Sequence, residues 1–251
     1  MVVLVGSCQP KQQSPIATGA VLPPPPRLVG GKILSKDRRF VYLVRWYASG
    51  ATTARLDSVT LTASGAPWAI EATQTGVEWL FSADTTLTTR PSQTVGAIEN
   101  KTEFWLHPPR YGAYRILELN PFPHLKLPAV HGQTWEWEVY PPEFYADAAW
   151  ARWKGILRVK FRYTLAGITQ LATPLGTLSC YRVQAKGTSK VGTTALEAYF
   201  HPAYGFVRLN YRNINASRLE LELVRVDVRP ASSEHALEQL LGHSYGLPQP
   251  R

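Results

Sequence analysis

The sequence predicts an all-β protein with minor α content, arranged as a single curved antiparallel sheet or half-barrel with a lid segment and a short C-terminal helix. Two observations carry this prediction. Apolar and polar residues alternate in successive short runs, and glycine or proline separates one run from the next. The chain also has 251 residues and 45% hydrophobic content, enough to bury one full core, and all-β chains of this size often form one domain.

The clearest group of strands covers residues 174–226. Links rich in turn residues divide this stretch, so we expect four successive antiparallel strands. Gly176 and Gly205 stand where the chain must reverse. Pro174 and Pro202 come just before those turns, where a missing N–H does no harm.

Shorter patterns extend the sheet. Strands are expected at residues 39–46, 56–62, 77–81, 83–89, 135–139 and 156–165. The adjacent apolar residues Leu223 and Val224 switch the alternation, which predicts a β-bulge. Cys180 alternates with Leu178 and is expected to pack as a small hydrophobe.

A short internal similarity aligns His107 with His201 and Gly112 with Gly205. It suggests two similar strand–turn–strand units, in which His-Pro ends one strand and Tyr-Gly turns into the next. Chance or shared turn chemistry explains the match about as well as duplication does.

Residues 140–155 form the longest irregular stretch, which we call the aromatic segment. Its aromatic residues beyond Tyr140 are Phe144, Tyr145, Trp150 and Trp153. This is more aromatic surface than a connection needs. Asp147 is expected to cap a short helix that ends at Gly155.

Two interpretations of the aromatic segment remain open. As a lid, it would fold over the concave side of the sheet and enclose a pocket for an apolar or amphipathic ligand. The predicted ligand-binding residues are then Phe144, Trp150, Trp153, Trp135, Trp137 and Phe161. As a plug, the same segment would complete the core.

The net charge of +9 comes from the second half of the chain. Residues 148–225 contain twelve Lys or Arg and three Glu, an excess of nine that equals the whole net charge. Arg158, Lys160 and Arg162 share one strand face at about 6.6–6.8 Å spacing. This stripe is predicted to contact an anionic group such as phosphate or sulfate, and a plain solvated strand face is the alternative.

The chain starts Met-Val-Val-Leu-Val-Gly-Ser-Cys, which resembles the end of a bacterial lipoprotein signal. The resemblance implies lipidation at Cys8. The apolar run is shorter than the about 7–15 residues of a complete signal, and no basic residue precedes it. Either the start was set too late or the match is accidental.

The Pro-rich composition after Cys8 predicts an extended stalk, and an ordinary frayed N-terminus is the alternative. We therefore divide the chain into residues 1–30, a signal remnant and stalk, residues 31–230, an antiparallel β domain, and residues 231–251, a short helix and a disordered tail. No run of about 18 apolar residues occurs, so no membrane-spanning helix is expected.

Three motifs follow one another in the second half of the chain. They are Leu-Lys-Leu-Pro with Gly-Gln-Thr-Trp within residues 125–135, Thr-Pro-Leu-Gly-Thr-Leu-Ser-Cys-Tyr at 173–181, and Tyr-Phe-His-Pro-Ala-Tyr-Gly-Phe-Val-Arg-Leu at 199–209. The pattern resembles uncharacterised bacterial cell-envelope lipoproteins, which look related to periplasmic antiparallel β half-barrels such as the lipoprotein carriers of the Lol pathway. The resemblance implies a curved sheet with a covered concave face and a location outside the cytoplasm. It supplies no catalytic residues.

Several chemistries lack support in the sequence. The six histidines are scattered without ligand spacing, so neither a metal site nor a cofactor is predicted. No nucleophile elbow, Walker loop or dinucleotide loop occurs. Glu136 and Glu138 alternate with two tryptophans, and they are interpreted as a solvent-facing strand face because no partner for acid–base work is identified.

The leading hypothesis is a non-enzymatic exported lipoprotein that binds a lipid-like or amphipathic molecule. It would be a monomer, anchored by lipid to a bacterial membrane and facing the periplasm or the exterior. Two alternatives stay open. One is a protein that binds or cleaves carbohydrate with its tryptophans and paired Glu residues. The other is a basic β module that binds nucleic acid or another anionic polymer, nucleic acid being the less expected partner.

Overall fold

The structure is a computed structural model that describes residues 19–23, 32–81 and 91–228. Its strands are β1 (Arg38–Tyr47), β2 (Arg55–Pro67), β3 (Thr75–Phe81), β4 (Ser92–Glu99), β5 (Glu103–Leu106), β6 (His124–Lys126), β7 (Thr134–Val139), β8 (Val159–Thr173), β9 (Gly176–Ser189), β10 (Gly192–His201), β11 (Gly205–Arg212) and β12 (Arg218–Val228). In this part of the chain the helices are two 3-10 helices, Gly112–Leu119 and Glu143–Tyr145. The prediction of a mostly β chain with little helix is confirmed.

All twelve strands belong to one antiparallel sheet, in the order β6-β5-β4-β3-β2-β1-β12-β11-β10-β9-β8-β7. The first and last strands pair at its centre, and each half of the chain forms a meander outwards from that pair. The outermost strands β6 and β7 are not hydrogen-bonded to each other through the backbone, so the sheet is open. The indole N–H of Trp135 in β7 nevertheless donates to Nδ1 of His124 in β6 at 3.1 Å. The sheet therefore curves until its two edges meet through side chains, as predicted.

Antiparallel pairing places the loops at two ends of the sheet. The first end carries residues 127–133, 174–175 and 202–204, and the second end carries residues 107–123, 140–158, 190–191 and 213–217. Residues 19–23 join the first end, where the N–H of Leu22 donates to the carbonyl of Ala129 at 2.8 Å. Leu22 is only 3% exposed. The packed part of the chain thus reaches into the stretch that the sequence assigned to the stalk.

The strands β9 to β12 are the four successive strands expected within residues 174–226. Gly176 and Gly205 begin β9 and β11 with φ values of 103° and 73°. Glycine adopts these conformations without the steric cost of a side chain. Both predicted reversals are therefore confirmed.

The predicted β-bulge also lies where the alternation switches. Val41 pairs with Arg225, whereas the next residue, Tyr42, pairs with Leu223. Val224 is the extra residue in β12, and it restores the apolar side chains to the inner face. Cys180 is fully buried, which confirms its packing as a small hydrophobe.

The prediction of a strand–turn–strand unit around His107 and Gly112 is wrong. Gly205 begins a strand, but Gly112, with φ 55°, begins a 3-10 helix. The reason is the Pro-Pro pair after His107, since each proline lacks the N–H that a strand ladder needs. Residues 107–123, which we call the filling segment, therefore leave the sheet and turn inwards.

The helix predicted from Asp147 to Gly155 is also wrong. The Asp147 carboxylate accepts a hydrogen bond from the N–H of Ala149 at 2.9 Å, as a cap would. The chain then turns back at once, because the N–H of Ala151 donates to the carbonyl of Asp147 and the two residues form an isolated bridge. A helix this short is marginal without a packed face, and the fixed position of the buried Trp153 selects the turn.

Some predictions fall outside the described residues. These are the lipidation site Cys8, the strand at residues 83–89 and the helix near the C-terminus. None of the helices in the described ranges has the length and apolar character needed to cross a bilayer.

Candidate functional site

The filling segment lies across the inner face of the sheet. The indole N–H of Trp79, in β3, donates to the carbonyl of His107 at 3.0 Å. The hydroxyl of Thr194, in β10, donates to the carbonyl of Leu119 at 2.8 Å. These donors belong to different halves of the sheet, so the filling segment connects the two halves from the inside.

Side chains of the filling segment complete the core. Leu117 is fully buried and Phe122 is 2% exposed. Asn120 is fully buried as well, and its Nδ2 donates to Oδ1 of Asn213 at 2.9 Å, as a buried amide requires. The concave side, which was predicted to hold a ligand under a lid, is occupied here by the chain itself.

Three of the predicted pocket residues, Trp135, Trp137 and Phe161, belong to this core. The ring of Trp135 stacks on that of Tyr163 with centroids 5.2 Å apart. The ring centroid of Trp137 lies 5.2 Å from that of Phe122 and 6.0 Å from that of Phe161. Their contacts are therefore with the sheet and with the filling segment.

The other three predicted pocket residues lie at the second end of the sheet. Trp153 is 7% exposed, whereas Phe144 is 64% exposed. The indole N–H of Trp150 donates to the carbonyl of Tyr145 at 3.0 Å. Within the described ranges, no ring contact joins these three to the first three. In the aromatic segment Trp153 is therefore buried in the core, whereas Phe144 faces solvent.

In the predicted basic stripe, Lys160 and Arg162 lie on the outer face of β8, and Arg158 directly precedes this strand. Phe161 lies between Lys160 and Arg162 and is buried on the inner face. Arg158 donates to both oxygens of Glu138 at 2.9 and 2.7 Å, and these hydrogen bonds lower the pKa of Glu138 to about 2. Glu136 and Glu138, which the sequence analysis interpreted as a solvent-facing strand face, are thus ion-pair partners of the stripe.

A groove of about 460 Å³ crosses the outer face of β7, β8 and β9. Its lining includes Glu136, Lys160, Arg162, Thr164, Gln184, Lys186 and Thr188. Among these residues three cations face one carboxylate. Glu136 lies 3.7 Å from Arg162, with the two side chains 72% and 69% exposed, and ion pairs as exposed as this contribute little. Lys160 also lies 3.8 Å from Glu138, outside the lining. The groove therefore carries an excess of positive charge.

Lys186 was not among the predicted contact residues. It stands opposite Arg162 because β8 and β9 pair in that register. The signal available in the sequence was weaker, namely that Arg182, Gln184, Lys186 and Thr188 alternate with buried residues. That alternation identifies an outer face but does not say which cation lies beside Arg162.

A second group of ionisable residues is buried in the filling segment. Burial raises the pKa of Glu118 to about 7 and lowers that of His107 to about 3. His107 Nε2 lies 3.4 Å and Arg110 Nη1 lies 3.7 Å from Oε1 of Glu118. Perturbed pairs of this kind often mark active sites. Here less than a tenth of either His107 or Glu118 is exposed, so the pair belongs to the core.

Comparisons with known proteins give structural likenesses. No family profile matches the sequence, and no curated protein matches it. A candidate exported protein with YmcC-like fold from Bacteroides fragilis NCTC 9343 is similar with a TM-score of 0.41 and 12% identity, over 77% of this chain and 96% of that chain. A candidate lipoprotein from Parabacteroides distasonis ATCC 8503 has a TM-score of 0.42 and 11% identity, over 78% of this chain and 98% of that chain.

The hypothetical lipoprotein YmcC from Escherichia coli (K12) is similar with a TM-score of 0.37 and 12% identity, over 77% of this chain and 86% of that chain.

Proposed function

We propose that this chain is an exported, lipid-anchored protein of the bacterial cell envelope that has no enzymatic activity and binds an anionic ligand in the groove over β7, β8 and β9. The observation that carries the proposal is the charge of this groove, whose lining holds three cations, Lys160, Arg162 and Lys186, and one carboxylate, Glu136. Both ion pairs of these cations are long, with Arg162 3.7 Å from Glu136 and Lys160 3.8 Å from Glu138 outside the lining. The lipid anchor is supported by the small residues before Cys8 and by the Pro-rich stretch that follows it.

The lining of the groove suits an anion with further polar groups. Lys and Arg donate charge-assisted hydrogen bonds, which are shorter and stronger than neutral ones. Thr164, Gln184 and Thr188 add neutral donors and acceptors between the cations. A small number of placed polar groups of this kind fixes the orientation of a ligand.

The outer face is a better place for a ligand than the concave side. An apolar or amphipathic molecule inside the sheet would have to displace Leu117 or Phe122 of the filling segment, both fully or nearly fully buried. A ligand can bind in the groove on the outer face without displacing any core side chain. The anionic ligand therefore replaces the lipid-like one as the proposed partner.

The binding part of the proposal is tested with a sulfated heparin disaccharide at low ionic strength, by titration calorimetry. Lys186→Gln is expected to weaken binding about twofold to fivefold, within the range for an exposed charge contact. Lys101→Gln removes the same charge from an exposed loop and is expected to leave binding unchanged. Absence of saturable binding, or an equal loss in both variants, would remove the groove from consideration.

The location is tested separately, by mass spectrometry of the full-length protein from bacterial membranes. We expect a lipid-modified Cys8. Recovery of the native protein from the cytosol with an unmodified Cys8 would contradict the envelope assignment.

A further inference from the structure

Four cations stand in one row across the outer face of the sheet. Backbone pairing places Arg162 opposite Lys186 and Arg212 opposite Arg218. Ala195 of β10 pairs with both Lys186 and Arg212 and so joins the two pairs. Strands lie about 4.8 Å apart, so this cation row spans four strand spacings, or about 19 Å.

The cation row is less neutralised than the cations beside it. In a neighbouring row of the same face, Arg182 forms an ion pair with Glu197 and Arg208 forms one with Glu222. In the part of the chain that the structure describes, Lys186 and Arg212 have no carboxylate within ion-pair distance.

The other two members of the row are only weakly neutralised within the described ranges. Arg162 reaches Glu136 only at 3.7 Å. Arg218 donates to the carbonyl of Ala51 at 3.3 Å and lies 4.4 Å above the ring of Tyr47. A carbonyl and an aromatic ring hold the guanidinium in place but leave its charge unneutralised.

Like charges directly opposite one another on neighbouring strands destabilise a sheet. The cation row contains two such pairs, Arg162 with Lys186 and Arg212 with Arg218. An anion placed between the members of each pair removes this repulsion. The arrangement therefore favours a ligand that supplies negative charge at more than one point along the row.

A second groove continues the first along the cation row. It has a volume of about 370 Å³, crosses β9 to β12 and shares Gln184 and Ala185 with the first groove. Its lining includes Arg212 and Arg218. The two grooves together form one track across the strands, which suits an extended ligand better than a single small ion.

The row next to the cations, about 6.6–6.8 Å away on the same face, has a different chemistry. It contains Thr164, Gln184, Glu197, Asn210 and Glu220. Hydroxyl, amide and carboxylate groups hydrogen-bond to the hydroxyls of sugars.

Aromatic platforms for nucleobases are not part of the track. Proteins that bind single-stranded nucleic acid combine cations with exposed aromatic rings on which bases stack. Of the aromatic residues beside the cation row, Tyr47 lies at its end and is covered by Arg218, and Tyr211 is buried on the inner face. The track offers charge and hydrogen bonds without stacking.

We infer that the anionic ligand of this protein is a linear acidic polysaccharide that lies across the strands along the cation row, with its acid groups on Arg162, Lys186, Arg212 and Arg218 and its hydroxyls on Gln184 and Asn210. The inference rests on the proposed function, because the first groove is the beginning of the track. It adds the class of ligand, its direction and its length.

The test compares a sulfated heparin disaccharide with a heparin dodecasaccharide on the full chain. We expect the dodecasaccharide to bind at least about tenfold more tightly, since it gains the contacts of the second groove. Arg218→Gln should weaken dodecasaccharide binding about twofold to fivefold and leave disaccharide binding unchanged. Arg225→Gln is the matched control, since it lies on the same strand with its side chain 64% exposed and outside the row.

The outcomes separate the two proposals. If both saccharides bind equally and Arg218→Gln changes neither, the polysaccharide inference is overturned and the first groove stands. If neither saccharide binds, both proposals are overturned. If oligothymidylate of comparable charge, or vesicles rich in phosphatidylglycerol, compete more strongly than the dodecasaccharide, the ligand is not a polysaccharide. The side chains concerned are exposed, so thermal unfolding of the variants is expected to confirm an intact fold.

Discussion

The inner and outer faces of the sheet are built from the same strands but are completed in different ways. On the inner face, Phe161 and Tyr163 of β8 are covered by the filling segment and lie in a continuous apolar core. On the outer face, Lys160 and Arg162 of the same strand remain in solvent. The inner face therefore depends on how well side chains fill the core. The outer face depends on which charged side chains the strand register places next to each other.

This difference indicates where a ligand has room. A core residue contacts many others, and its removal leaves a cavity that costs stability. An exposed cation contacts little, and its removal is nearly neutral for folding. Inner-face substitutions should therefore change the free energy of unfolding, and outer-face substitutions should change binding.

The largest effect is expected for Phe122→Ala in the filling segment. Phe122 is 2% exposed and its ring packs on Trp137 and Trp105. Its truncation should lower the free energy of unfolding by about 3–5 kcal/mol in urea denaturation. Phe144→Ala, at a ring that is 64% exposed, should stay within about 0.5 kcal/mol of the parent. Similar losses at both positions would mean that the filling segment is not what completes the core.

A somewhat smaller loss is expected for Trp153→Ala in the aromatic segment. Trp153 is 7% exposed, but its indole N–H has no hydrogen-bond partner within the described ranges. Removing an unsatisfied buried donor offsets part of the packing loss. We therefore expect the free energy of unfolding to fall by about 3 kcal/mol. A lid would behave otherwise. An unchanged melting temperature, together with uptake of a fluorescent lipid analogue by the parent but not by the variant, would restore the lid interpretation.

The next prediction uses pH on the buried acid of the inner face. Burial raises the pKa of Glu118 from 4.5 to about 7, so the folded chain holds this proton more tightly than the unfolded chain. The resulting stability is complete below about pH 4.5 and is lost as the pH rises through 7. Glu118→Gln keeps a neutral side chain throughout. Relative to the parent, the variant should therefore gain about 2–3 kcal/mol between pH 4.5 and pH 8.

The measurement is the difference in unfolding free energy between parent and variant at these two pH values. His107 has the opposite tendency, since its pKa is lowered to about 3 and its stability contribution grows as the pH rises from about 3 to 6.5. It is present in both proteins, as are Arg110 and Tyr145, so its contribution largely cancels. A difference that stays flat with pH would show that Glu118 is charged in the folded chain.

The strands of both faces were largely predictable from the sequence. Period-two alternation located most of them, and glycine at positions 176 and 205 located two reversals. The filling segment was not predicted, because apolar residues such as Ile116, Leu117 and Leu119 fit a strand or an inward turn equally well. The aromatic residues of the aromatic segment predicted a lid or a plug, but the number of rings does not indicate which of them face the core.

The cation row shows a second limit, which is register. The turn between β8 and β9 pairs Thr173 with Gly176, and counting back from it places Arg162 opposite Gly187. A register shift between Leu165 and Gly167 moves the pairing by one residue, so that Arg162 meets Lys186 instead. A single inserted residue therefore decides whether Arg162 lies opposite Lys186. The local alternation of polar and apolar residues does not indicate this insertion.

The smallest effect is expected on the outer face, and its sign distinguishes the two faces. Lys186→Gln removes one of two like charges that stand directly opposite each other on β8 and β9. It should raise the free energy of unfolding by about 0.2–0.5 kcal/mol at low ionic strength, whereas Lys101→Gln in the loop after β4 should leave it unchanged. The gain should shrink in about 1 M salt, where the screening length falls to about 3 Å. Urea denaturation at the two salt concentrations measures both. If Lys186→Gln lowered stability instead, Lys186 would be held by a partner in the folded chain, and the cation row would lose the unneutralised charge on which polysaccharide binding depends.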